Sequence, residues 1–350
     1  GLYFDTEFFL IHVVTAVIFL LVTYLKIKER SYQIIETPLD CALLAYVLVY
    51  LLSLLSAVHP GEAVYGFLRA LNYFLIYWLV VQIVKSYKDY TNILNILLAS
   101  AMGVIVIGLL SAVGAVDYPG GMYAGQISST LQYPNTLGAY LLVMSIIAVA
   151  MSLYAEKKFT VYIYSIAAFL MLLIVATSAS KGVWLIFLLG VVLLPAGLKG
   201  VYRLKSFYTM LLIFSSAFLI YSRFLTAIET QNGLILITMI IIGIAIVLVG
   251  QAAWEALLYV HNKKGLTCSI ITVTGFVLCF LGLILWKVNL SVAQAKILTI
   301  LNSIKNIEQT LSFSSRADFY RWGVEIIKDH PITGVGSGGW NALYHQYQDY

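Results

Sequence analysis

The stretch GLILITMIIIGIAIVLVGQAAWEAL, residues 233–257, carries a single ionisable side chain, Glu255. Its apolar residues run on without the alternation that a membrane barrel strand requires. The run is also longer than the roughly 20 residues a helix needs to cross a hydrocarbon core. In lipid every backbone N–H and C=O must find a partner within its own segment, which a helix provides. This stretch therefore reads as a membrane-spanning helix, and the rest of the chain can be read outward from it.

Nine further runs of the same kind occur, at about 7–25, 40–58, 62–84, 91–113, 134–153, 159–177, 182–198, 207–226 and 267–287. The expected fold is an all-α polytopic membrane helix bundle of about ten spanning helices. Composition agrees. The 350 residues are 61% hydrophobic and 11% charged, against about a quarter charged in soluble domains. The mean hydropathy is +0.92. A soluble globule could not cover so much apolar surface, and nothing indicates a nucleic-acid partner. Cys41, Cys268 and Cys279 lie inside apolar runs at spacings that match neither a disulfide framework nor a zinc site; they read as small buried hydrophobes.

The loops orient the bundle. Lys26, Lys28 and Arg30 follow the first span, Lys85 and Lys88 the third, and Lys157 and Lys158 the fifth. Lys199, Arg203 and Lys205 follow the seventh, and Lys263 and Lys264 the ninth. The loops after even-numbered spans are poor in Lys and Arg. The positive-inside rule puts the basic loops in the cytoplasm. Gly1 and everything beyond Val288 are then expected outside, which divides the chain into a bundle, 1–288, and an outer-face helical segment, 289–350. The chain begins at Gly1 with no signal peptide and stops within a polar segment, so it reads as a fragment open at both ends.

Ionisable groups within spans are costly and concentrate at functional sites. Arg69, in GFLRALNYF, lies one to two turns below the outer end of the third span, a depth that suits a cavity open to the outside. A snorkelling or paired arginine would look the same in sequence. Lys181, in TSASKGVW, sits where the sixth span turns into the seventh, among Ser178, Ser180 and Gly182. Pro134 and Asn135 open the fifth span, with Asn135 either an N-cap or a donor at a cavity rim. Arg223, near the outer end of the eighth span, reads as snorkelling. Glu255 reads as interfacial. No acidic pair stands at mid-depth, where an ion-coupled transporter would use one.

In the outer segment, 292–311 has the periodicity of an amphipathic helix. A second helix is expected to start at Ser315, with Asp318 completing a capping box. Phe319, Trp322, Ile326 and Ile327 would form its apolar side. Arg321 has the spacing to pair with Asp318 and Glu325. Arg316 has no such partner, and a cation in a first helical turn opposes the helix dipole, which marks it for an anion. After Pro331 comes GVGSGG, with Gly334, Gly336, Gly338 and Gly339. It follows a helix instead of a strand, so it is not a dinucleotide fingerprint. It is either a turn that lets backbone amides approach a ligand or a tight link to a last helix, Trp340–Tyr350.

Three segments, QYPNTLGAYLL, TSASKGVWL and SRADFYRWGVEIIKDHPITGVGSGGW, together resemble the O-antigen ligase and polymerase family of bacterial membrane glycosyltransferases. The resemblance implies transfer of a glycan from an undecaprenyl-diphosphate carrier to a glycan or lipid-core acceptor at the outer leaflet of the bacterial cytoplasmic membrane. It implies neither metal nor cofactor. Arg316 and Lys181 would then be catalytic, meeting the diphosphate, with Arg69, Asn135, Arg321, Gly334 and Gly336 binding substrate. Two departures stand out. The family's Ser-Arg-Gly is Ser-Lys-Gly here, so Lys181 keeps the charge without the planar fork. The family's His-Asn pair lies beyond Tyr350, and neither His330 nor His345 replaces it. The alternatives are a polymerase of the same family, a transporter or flippase of lipid-linked oligosaccharide, and a non-catalytic membrane scaffold.

Overall fold

The computed structural model describes residues 5–30, 35–178, 180–264 and 311–348. It is all-α apart from one two-stranded hairpin. Eight helices among the described residues are long and apolar enough to cross a membrane. They are α1 (Asp5–Lys28), α2 (Pro38–Ser53, extended by one turn to Ser56), α3 (Pro60–Ile83), α4 (Tyr87–Ala112), α5 (Pro134–Tyr154), α6 (Lys158–Thr177), α8 (Gly200–Glu229) and α9 (Gly233–Lys264). The chain is a multi-pass membrane protein.

The seventh expected span, α7 (Lys181–Ala196), has only 16 residues. At 1.5 Å per residue it rises about 24 Å, short of a core about 30 Å thick. Pro195 lies in its last turn, where a ring in place of an N–H helps end the helix. Its neighbour α8 runs the other way, to 30 residues, and takes Arg203 and Lys205 out of the expected loop into its first turns. The expected span at 267–287 and the expected amphipathic helix at 292–311 lie outside the described residues.

The chain forms two compact units. The first is drawn from Thr91–Leu290 and the second from Leu2–Tyr90 together with Ser291–Tyr350. In the first unit α6 is the core. Ala168, Phe169, Met171, Leu172, Leu173 and Val175 are fully buried. Gly243 of α9 lies against the Phe169 ring, and Gly250 lies against Leu212 of α8. Any side chain there would hold the helices apart, the usual reason for small residues between packed membrane helices.

Several buried polar groups of this unit are bonded within it, while Ser111 Oγ, Ser128 Oγ and Trp254 Nε1 meet no partner among the described residues. Gln251 Nε2 donates to Ser165 Oγ at 3.0 Å and to Thr209 Oγ1 at 3.4 Å, joining α9 to α6 and α8. Tyr208 OH donates to the Gly250 carbonyl at 2.7 Å. Ser165, Ser215 and Ser216 donate to carbonyls four residues back in their own helices. At the basic end Lys158 pairs with Glu255 at 2.7 Å, and Lys205 Nζ donates to the Ser152 carbonyl at the end of α5 at 3.0 Å. Between α4 and α5 the chain folds a hairpin, β1 (Met122–Tyr123) and β2 (Gln126–Ile127). Ala124 and Gly125 both have positive φ at its turn, the tight geometry that matches strand twist.

The second unit comprises α1, α2, α3 and the outer segment. That segment contains α10 (Leu311–Asp329), a glycine-rich loop and α11 (Gly339–Leu343), followed by one tighter turn, Tyr344–Tyr347. The single helix expected over Trp340–Tyr350 is thus two short pieces. Thr37 and Asp40 cap the start of α2 reciprocally, and Asp40 Oδ1 accepts from Tyr77 OH of α3 at 2.6 Å. Cys41, expected to be buried, is exposed on α2. A spanning helix in a small unit has an outward side, and a small apolar residue fits there as well as inside.

Candidate functional site

The residues singled out in the sequence fall into both units. Asn135 and Lys181 belong to the first; Arg69, Arg316, Arg321, Gly334 and Gly336 belong to the second.

In the first unit, Tyr133 rather than Asn135 is the N-cap of α5, with Pro134 as its first residue. The Asn135 amide instead donates to the Tyr133 hydroxyl at 2.9 Å. It is half-buried. Lys181 is the first residue of α7, after Ser180 as N-cap; its side chain lies outside what the structure describes. Ser178, expected to line a small polar turn, is buried and donates to the Val175 carbonyl at 2.8 Å. A Cβ added at Gly138 of α5 would lie 2.7 Å from its oxygen. Ser178 therefore serves helix packing, while Gly182 faces open space.

In the second unit the glycine loop has a definite partner. Gly334, Gly336 and Gly338 all have positive φ, at 65°, 76° and 80°, a region where a side chain costs about 1–2 kcal/mol per residue. The loop lies on the turn between α2 and α3. Ser56 Oγ donates to the Gly334 carbonyl at 3.0 Å, and Val58 N–H donates to the Val335 carbonyl at 3.1 Å. A Cβ at Gly336 would fall 2.6 Å from Ala57 Cβ and 2.9 Å from its Cα. Neither reading made from sequence foresaw this. At Gly336 the backbone approach is to the protein's own turn.

The docking continues along α3. Glu62, Gly66, Arg69 and Tyr73 recur at steps of four, three and four residues, which places them on one face of a helix. Gly338 lies against Glu62, and the Ser337 side chain lies against Gly66. Arg69 and Tyr73 carry the face deeper and are exposed. Arg69 is nine residues in from Pro60, about 13 Å along the axis. Its guanidinium carbon lies 5.7 Å from the centre of the Phe8 ring, a contact worth about 0.5–1 kcal/mol where exposed. The Phe8 ring in turn packs on His12 at 4.1 Å. The two ring nitrogens of His12 face the Phe8 and Leu68 carbonyls at 2.6 and 3.0 Å, tying α1 to α3. Among the described residues Arg69 has no carboxylate partner.

The outer segment departs from expectation in two ways. The helix is already formed at Leu311, so Ser315 is not its cap. Arg316 stands in the second turn, where opposition to the dipole is weaker. Its side chain lies outside what the structure describes. Arg321 is exposed and, among the described residues, without an ion pair. The expected partner Glu325 accepts from Lys328 at 2.8 Å instead. Exposed pairs are worth so little that either cation three or four residues away can take the carboxylate.

Phe319 and Trp322 of α10 pack with Trp340 and Tyr344, the latter two stacked at 5.7 Å. Tyr347 OH donates to Asp329 at 2.7 Å. These contacts fold α11 back onto α10 and hold the loop between them. Among the described residues no cluster of His, Cys, Asp and Glu has a metal-binding arrangement.

Sequence reasoning missed His59, whose Nδ1 accepts from Glu62 N–H at 3.3 Å and caps α3. It also missed Glu62, Ser337 and Tyr73. The seven-residue step from Glu62 to Arg69, two helical turns, is the signal that could have put them on one face; the loop seated on that face leaves no such signal. Comparison of the chain with protein-family models, curated proteins and solved structures finds no match in any of the three.

Proposed function

We propose that this protein is a membrane glycosyltransferase of the O-antigen ligase kind, acting in the bacterial cytoplasmic membrane with its site toward the outside. The donor is a glycan on undecaprenyl diphosphate and the acceptor is a sugar hydroxyl. The observation that carries this reading is Arg69. It is an exposed guanidinium inside a spanning helix, without a carboxylate partner among the described residues, on the face of α3 where the glycine loop docks.

In the reaction the acceptor oxygen bonds to the anomeric carbon as the bond from that carbon to the phosphate oxygen breaks. The acceptor proton passes to a base, and the lipid diphosphate leaves with an added negative charge. Arg69 supplies a cation for that charge, and its planar fork can hold two phosphate oxygens at once. The low dielectric at that depth strengthens the interaction as charge develops. Arg316, in the outer segment of the same unit, is the second cation of this reading.

The test is transfer of lipid-linked glycan by the full-length protein in proteoliposomes. Arg69→Ala is expected to lower the rate by about 10²-fold or more, the loss typical of one charge-stabilising donor, and Arg69→Lys to recover part of it. Unchanged transfer by Arg69→Ala removes the assignment.

One observation favours a second reading, a transporter of lipid-linked oligosaccharide. Asn72, three residues beyond Arg69, is buried, and its Oδ1 meets no donor among the described residues. A polar atom at that depth would suit a path for sugar hydroxyls. Movement of the labelled glycan across the vesicle membrane without bond formation would establish that reading in place of the first.

A further inference from the structure

The sequence assigns α10 one apolar side, and the structure shows two. Phe319 and Trp322 face the Trp340–Tyr344 stack, and Ile326, one turn on from Trp322, is buried. About a third of a turn around the helix lies a second stripe of Tyr320, Val324 and Ile327. These are 78%, 50% and 64% exposed. Single exposed apolar residues need no explanation, whereas a contiguous set does. Arg321, Glu325 and Lys328 occupy the face beside this stripe, so α10 is polar on one side and apolar on two.

Its position says what the second stripe meets. Ile332, 93% exposed, is two residues from Gly334, within about 7 Å even if the chain is extended. The Gly334 and Val335 carbonyls accept from Ser56 and Val58 in the turn between α2 and α3. Leu55 and Val58 in that turn are themselves 83% and 46% exposed. That turn is where two spanning helices leave the hydrocarbon, on the side away from Lys26, Lys28, Lys85 and Lys88. The C-terminal end of α10 is thus tied to that turn, and Leu55, Val58 and Ile332 around the tie are exposed apolar side chains like those of the stripe.

The geometry points to α10 as an interfacial helix whose Tyr320–Val324–Ile327 stripe lies in the headgroup and acyl boundary of the outer leaflet. Tyrosine suits that depth because its ring is apolar and its tip polar. Lys328 can bury its stem beside the stripe and keep its ammonium in water. The lipid surface would then hold one side of the helix, while the Phe319–Trp340 stack and the glycine loop hold the other.

The experiment is spin labelling of the full-length protein, with Cys41, Cys268 and Cys279 replaced by serine, in phosphatidylethanolamine–phosphatidylglycerol liposomes. Single cysteines at 320, 324 and 327 are compared with single cysteines at 321, 325 and 328. All six positions are exposed or half-exposed on the protein, so labels there do not disturb packing. Collision with oxygen relative to a water-soluble nickel chelate is expected to be several-fold higher at the first three, with the periodicity of the helix. Equal access of the nickel chelate to both sets would show a water-exposed face and overturn the proposal. Protection of the first three from both reagents would show a protein cover, a second copy or another segment, and overturn it equally. Quenching of bimane at position 324 by shallow brominated lipids gives an independent reading and is expected only if the stripe lies in lipid.

Discussion

The interior of the first unit and the glycine-loop end of the second differ in how their ionic groups are matched. Around α6, Gln251, Tyr208, Ser145, Ser165, Ser215 and Ser216 have hydrogen-bond partners, and Glu255 has Lys158, while Ser111 Oγ, Ser128 Oγ and Trp254 Nε1 meet none among the described residues. At the glycine-loop end of the second unit, Arg69 and Arg321 stand exposed without ion partners among the described residues, and three glycines hold left-handed conformations. In a membrane an unmatched polar group is expensive. An anionic ligand would match the open guanidinium groups of the second unit, which is where the proposed chemistry is assigned.

The contrast can be broken most severely at the loop. Gly336→Val puts a β-branched residue at φ 76° and its Cβ against the Ala57 backbone. Strain of about 1–2 kcal/mol and overpacking of about 1–3 kcal/mol should together unseat the loop from the α2–α3 turn. Limited proteolysis between Pro331 and Gly339 should speed up markedly, with the spanning helices retained by circular dichroism. Protease resistance equal to the unaltered protein would mean the loop is not held there.

A middle effect is expected inside the first unit. Gln251→Leu removes the bonds to Ser165 and Thr209. Interhelical bonds in membranes are worth about 0.6–2 kcal/mol, so thermal unfolding in detergent should occur a few degrees lower, with no change in transfer. A loss of transfer at unchanged stability would place function in the first unit and erase the contrast.

Arg69→Ala should do the reverse. It gives up a cation–π contact of about 0.5–1 kcal/mol, so the unfolding temperature should barely move while transfer falls. The smallest effect concerns Arg321. Lys328→Ala frees Glu325 from its 2.8 Å pair, and Arg321 can then take the carboxylate at a cost or gain below about 1 kcal/mol. A double-mutant cycle on Arg321 and Glu325 should show no coupling in the unaltered protein and a small one in the Lys328→Ala background.

Much of this was legible in sequence because the membrane is a severe solvent. An uninterrupted apolar run can be little else than a helix, which is why α1–α6, α8 and α9 fall where their runs fall. The short α7 was harder, since its run continues past the point where Pro195 and Gly197 end the helix. Arg69 was legible because a charge in an apolar run is conspicuous. The partner of the glycine loop was not. Ser56 and Gly334 are 278 positions apart, and nothing local to either announces the other. The Ser315 cap failed because a capping pattern is only a local preference, overridden when the preceding residues are already helical. The pairing of Arg321 failed because spacing permits an exposed ion pair without choosing between two cations for one carboxylate.

The central claim is that Arg69 is open for a lipid-borne diphosphate. The most direct measurement is the affinity of the purified full-length protein for a short-chain polyprenyl diphosphate, read by native mass spectrometry across a concentration series. Arg69→Ala should weaken binding by at least about tenfold, the loss of a charged hydrogen bond of 1.5–3 kcal/mol, while Gln251→Leu leaves it unchanged. Equal affinity of the unaltered and Arg69→Ala proteins would contradict the account.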